Sequence, residues 1–158
     1  MSPAEAGEVL WTPSTSRVET SAMTRFLREV AATVDTVGDF ESLWRWSVDD
    51  PAAFWSRLWD FVGVVGEKGA HVVDDVDRMP GARWFADARL NFAENLLRPR
   101  GHAIALIGRD ESGRRRVMTR DALRDEVSRC QQALVEAGVG VGDRVGAYMP
   151  NTVETVIA

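Results

Sequence analysis

The run Arg78–Leu97, RMPGARWFADARLNFAENLL, decides how the rest of the chain is read. Met79-Pro80-Gly81 sets proline beside glycine, which predicts a turn: proline presets φ and glycine admits positive φ. Asn91 is followed three residues later by Glu94, the spacing of a capping box, so a helix is expected to begin there. Ala93, Leu96 and Leu97 should form its inward face, and Pro99 should stop it. Asn91, Glu94 and Asn95 also resemble a polar site, but capping accounts for the first two without a ligand.

Upstream, the pattern is helical. Met1–Gly7 is small and polar, the composition of a loose end. Trp11-Thr12-Pro13-Ser14 reads as an extended segment that Trp11 should pin to the body. Thr20 or Ser21 can cap a helix whose apolar residues Met23, Phe26, Leu27, Val30, Ala31 and Val34 share one face, ending at Gly38. Asp39 can cap a short second helix through Phe40, Leu43 and Trp44. A third is the best punctuated, with Asp50 as N-cap, Pro51 in the first turn where its missing N–H costs nothing, and Gly63 as terminator. Its Phe54, Trp55, Leu58, Trp59 and Val62 could line an acyl pocket, but aromatics at this spacing are more often core. Val72-Val73 is a possible short strand. Asp74, Asp75 and Asp77 fail the calcium-loop pattern, because Met79 and Phe85 occupy the sixth and twelfth positions, and they read as a solvated turn.

Downstream, the texture changes at Ala103. Ala103–Ile107 and Arg114–Met118 predict a hairpin across the turn Asp110–Gly113. Arg114, Arg115 and Arg116 could meet a phosphate, but a charged hairpin edge is the commoner reading. Thr119 should cap a long helix, with Asp121 in its first turn and Leu123, Val127, Cys130, Leu134 and Ala137 as its buried stripe; Gly138 should end it. Gly138–Asp143 is not a phosphate loop: Asp143 stands where a third glycine is needed, and the segment follows a helix and leads to a predicted strand at Arg144–Met149. Asn151 with Glu154 then predicts one more cap, before an apolar face of Val153, Val156 and Ile157.

Composition narrows the class. The chain has 158 residues, 45% hydrophobic and 27% charged, which suits a folded domain. A net charge of −5 disfavours a nucleic-acid surface. Six Trp residues against one Tyr suggest a helical core anchored by indoles. The single Cys130 has no disulfide partner within the chain, and neither His71 nor His102 is positioned by sequence to activate it. No apolar run reaches the roughly 18 residues of a membrane span, and the start lacks a secretory pattern, so a cytoplasmic location is expected.

RMPGARWF and LNFAENLLR, with LWTPS from Leu10, WSVDDPAAFWSRLWDFVGVVGEKG from Trp46 and GVGVGDRVGAYMPNTVE from Gly138, resemble the N-terminal region of acetoacetyl-CoA synthetases, adenylate-forming acyl-CoA synthetases. Ala86-Asp87-Ala88 departs from the family pattern, which has Pro-Gly and a small residue there. The resemblance implies an α/β fold: a mostly helical N-terminal region over 1–100, then the incomplete start of the AMP-binding domain over 101–158. It implies an enzyme that uses ATP, Mg²⁺ and CoA to activate acetoacetate through an acyl-adenylate. The remainder of the same chain would be this segment's partner, with no nucleic acid and no membrane involved. The phosphate loop and the late lysine of the family are not in this stretch. No catalytic, cofactor-binding or metal residue can therefore be placed on it, and the segment is expected to be inactive alone and to frame the large domain. Two other readings stand beside this one: a stand-alone binding or assembly module, and the corresponding segment of an acetyl- or propionyl-type synthetase.

Overall fold

The computed structural model describes residues 9–158; the expectation for Met1–Gly7 lies outside them. The chain divides into two compact units, one ending at Leu90 and one spanning Asn91–Ala158.

In the first unit, short polar side chains decide where helices begin. Ser14 caps α1 (Thr15–Glu19), a helix not foreseen from the sequence, and Ser21 caps α2 (Ala22–Ala31), its Oγ accepting from the Thr24 N–H at 3.0 Å. Asp39 caps α3 (Phe40–Asp49) with a full reciprocal box: its Oδ1 accepts from the Ser42 N–H at 2.8 Å, and the Ser42 Oγ accepts from the Asp39 N–H at 3.0 Å. Asp50 caps α4 (Pro51–Val62), and Gly63 ends it at φ 64°, a left-handed conformation that glycine adopts without a Cβ clash.

These helices enclose a small core of Phe26, Val30, Val37 and Leu43, against which Leu27, Val34, Trp46, Phe54, Leu58 and Phe61 pack. The α2 helix stops at Ala31, before Val34 and Gly38, and the chain turns there so that Val37 enters the core from a loop. None of the six indoles is buried. The expectation of a Trp-anchored core is corrected accordingly: the centre between such short helices is filled by aliphatic groups and Phe26, and the larger rings stay at its edge. Trp11 is 67% exposed rather than pinned to the body, and its ring lies under the Arg17 guanidinium at 5.7 Å.

After α4 the chain doubles back on itself. The strands β1 (Val73–Asp74) and β2 (Arg83–Trp84) pair antiparallel, and Glu67 and Arg89 form a further antiparallel bridge. Trp84 and Phe85 meet Trp55 and Trp59 of α4 at ring-centroid distances of 5.8 and 4.9 Å, which holds this loop to the helices. The Met79–Pro80 peptide is cis within the expected turn.

The second unit opens with α5 (Phe92–Leu96). Asn91 Oδ1 accepts from the Glu94 N–H at 3.0 Å, as the spacing predicts. Its expected inward face is only partly realised: Leu97 is half-buried, but Ala93 is exposed and Leu96 is 64% exposed, because a five-residue helix presents little surface for any neighbour to cover. The strands β3 (Ile104–Arg109) and β4 (Arg115–Thr119) form the hairpin, with a register irregularity between Ile104 and Leu106. Thr119 caps α6 (Arg120–Glu136), and Leu123, Val127, Cys130 and Leu134 are its half-buried stripe, whereas Ala137 is the exposed C-cap.

Arg144–Met149 is not a strand. Strand structure needs a hydrogen-bonded neighbour, and among the described residues no strand pairs with this run; Tyr148 within it is fully exposed. The last helix, α7 (Val153–Ile157), starts from Thr152 rather than from Asn151, so the Asn151–Glu154 capping box does not form.

Candidate functional site

The hairpin and the segment 150–156 border an open groove of about 1150 Å³ within the second unit. Strand alternation builds its floor. With Leu106 opposite Met118 and Ile107 opposite Val117, the two pairs point to opposite faces. Met118 is buried, while Ile107 and Val117 are exposed. Gly108 lets α7 approach, since a Cβ at that position would stand 2.8 Å from Val153 Cγ2. A glycine inside a strand is the sequence signal that could have located this close approach.

Ion pairs close the groove's ends. Arg116 on β4 pairs with Glu154 of α7. The Glu154 carboxyl is held below its ordinary value of 4.5 by its own backbone N–H, then by the Thr152 hydroxyl and Arg116, so it stays ionised against the guanidinium. At the turn, Asp110 is likewise held low, first by the Ser112 hydroxyl, which donates at 2.6 Å, and also by Arg114 through its backbone N–H at 3.0 Å and its Nε at 3.1 Å. Arg114 and Arg116 are thus committed to carboxylates, and Arg115 is exposed on the opposite face from Arg116. All three arginines expected as a possible phosphate contact line this groove, but two of them are already paired with carboxylates.

Other flagged residues resolve in the same direction. Asp143 Oδ2 accepts from the Gly140 N–H at 2.8 Å, so the glycine-rich segment satisfies its own amide and makes a turn. Asp74 pairs with Arg83 at 3.2 Å and Asp75 with Arg78 at 3.7 Å, and among the described residues no group of three or more His, Cys, Asp or Glu could hold a metal ion. The Mg²⁺ implied by the resemblance has no holder among these described side chains. Cys130 is half-buried on α6. The groove thus combines apolar side chains, Leu106, Ile107, Val153 and Val156, with charged ones from both the hairpin and α7.

Residues 40–96 match the family model described as acetyl-coenzyme A synthetase N-terminus. The chain is 44% identical to an acetoacetyl-coenzyme A synthetase of Rhizobium meliloti (strain 1021), over 96% of this chain and 24% of that protein. It is 34% identical to a malonamoyl-CoA synthetase of Penicillium aethiopicum, over 99% of this chain and 22% of that protein. The solved structure of an acetoacetyl-CoA synthetase from Streptomyces lividans superposes with a TM-score of 0.77 at 35% identity, covering 95% of this chain and 24% of that one. The chain thus spans about a quarter of the length of the relatives it matches. By sequence over nearly its whole length, and by fold, it belongs to the acetoacetyl-CoA synthetase family of acyl-CoA synthetases.

Proposed function

We propose that this chain supplies the N-terminal segment of an ATP-dependent acid–thiol ligase that activates acetoacetate, with Mg²⁺, in the cytoplasm. The observation that carries the reading is the 44% identity with an acetoacetyl-coenzyme A synthetase over 96% of the chain. In such a ligase the carboxylate of acetoacetate attacks the α-phosphorus of ATP and expels pyrophosphate. The CoA thiol then displaces AMP from the acyl-adenylate. Splitting one condensation in this way gives each step a good leaving group.

The segment's own contribution is architectural. We assign residues 1–100 to the mostly helical N-terminal region of such a ligase and residues 101–158 to the opening of its AMP-binding domain; the change from helices to a hairpin beyond Ala103 supports that division. Exposed Ile104, Ile107 and Val117 on one hairpin face, and the unpaired run 144–149, are surfaces for the remainder of the chain to cover.

ATP–pyrophosphate exchange in the native gene product tests the reading. Exchange that depends on acetoacetate is expected. Exchange with acetate or propionate but not with acetoacetate would overturn the substrate assignment, and a product that exchanges with no acid would overturn the ligase assignment.

A further inference from the structure

The loop between α4 and α5 is built from two strands of chain running against each other. Backbone bonds tie Glu67 to Arg89 in both directions, at 2.8 and 2.9 Å, and the Phe85 N–H donates to the Val72 carbonyl at 2.8 Å. Two glycines make the approach possible. A Cβ at Gly66 would stand 2.7 Å from the Arg89 carbonyl oxygen, and one at Gly69 would stand 2.7 Å from Asp87 Cβ. Across this seam the His71 Nδ1 lies 2.8 Å from Asp87 Oδ2. Asp87 belongs to the Ala86-Asp87-Ala88 departure from the family pattern noted above.

We propose that His71 and Asp87 form a pH-sensitive clasp across this loop, tightest when the imidazole is protonated. The charged groups around the imidazole are Asp87, Asp74 on β1, and Arg83 on β2, which is itself paired with Asp74 at 3.2 Å. The hydrogen bond from Asp87 first, then the charges of Asp87 and Asp74, raise the imidazole above its ordinary value of 6.5. The sign follows from linkage. A group whose folded value lies above its unfolded value contributes fully below the unfolded value, 6.5 here, and loses its contribution as pH rises through the folded value. The clasp therefore tightens on acidification and relaxes on the alkaline side of the His71 midpoint. Both partners are exposed, so the effect is local: it acts on the loop's opening rather than on global unfolding.

The test is an NMR titration of the His71 ring in the full chain, together with amide exchange at Glu67 and Arg89 corrected for intrinsic pH dependence. The expected result is a His71 midpoint above 6.5 that falls in Asp87→Asn, with Glu67 and Arg89 several-fold better protected at about pH 5.5 than at about pH 8. That difference in protection should vanish in both Asp87→Asn and His71→Gln. Equal midpoints in wild type and Asp87→Asn would overturn the proposal. A shifted midpoint with no pH-dependent protection would overturn it as well, because the pair would then exist without holding the loop.

Discussion

Asp39 shows how much one side chain can specify. Its carboxylate receives the Ser42 hydroxyl at 2.6 Å and the Ser42 N–H at 2.8 Å, and these bonds, the hydroxyl first, hold its pKa below the ordinary 3.8. The sign is opposite to that of His71. A lowered carboxylate contributes stability that is complete above 3.8 and is lost as pH falls through the folded value. Asp39→Asn keeps an oxygen for the Ser42 N–H but removes the titration. Wild type should therefore be the more stable at neutral pH, and the gap should narrow as the pH is taken below 3.8 in a series of thermal melts. A gap that is constant with pH would show that the charge is not involved. Asp39, Asp50, Asn91 and Thr119 all cap the helices that their spacing predicts, because a cap is a bond between near neighbours and needs no tertiary partner. Thr152 shows the limit of the same reasoning: Glu154 is drawn to Arg116, a residue 38 positions away, and the Asn151 box is forgone.

At the scale of elements, packing decides which apolar residues matter. The face of α2 was legible in its spacing, and Phe26 and Val30 are its buried members, while Met23 on the same face is half exposed. Phe26 sits between Phe54 and Phe61 of α4, at ring-centroid distances of 5.8 and 4.9 Å. Phe26→Ala should remove both contacts and leave a cavity between α2 and α4, costing about 3–4 kcal/mol in denaturant unfolding. Met23→Ala should cost well under about 1 kcal/mol. Similar losses for the two would mean that the core is not where the structure places it. The indoles lie outside the buried core for a related reason. Periodicity identifies a face, but the depth of that face depends on how many neighbours close over it. Here Trp55 and Trp59 cover the loop residues Trp84 and Phe85 instead of entering the centre.

For the whole molecule, the telling feature is the apolar surface left open in the second unit. Ile104 and Ile107 are each more than half exposed, and Val141 and Tyr148 fully so. Such surface on a hairpin and beside an unpaired run favours association. The 158-residue chain by itself should therefore self-associate with rising concentration in sedimentation velocity, and should bind a hydrophobic dye. A sharp monomer across a wide concentration range, with a cooperative melt, would contradict this.

What the sequence determined by itself was local: the caps, the glycine stop at Gly63, the hairpin turn, the long stripe of α6, and the family. Each is written within a few consecutive residues, and the family resemblance is a pattern of residue identities along the chain. Tertiary structure alone decided that Val37 is core, that Gly108 admits Val153, that Arg116 is committed to Glu154, and that Asp87 meets His71. It also decided that Arg144–Met149 is not a strand, for a strand exists only where a second strand receives its hydrogen bonds, and no run of residues contains its own partner.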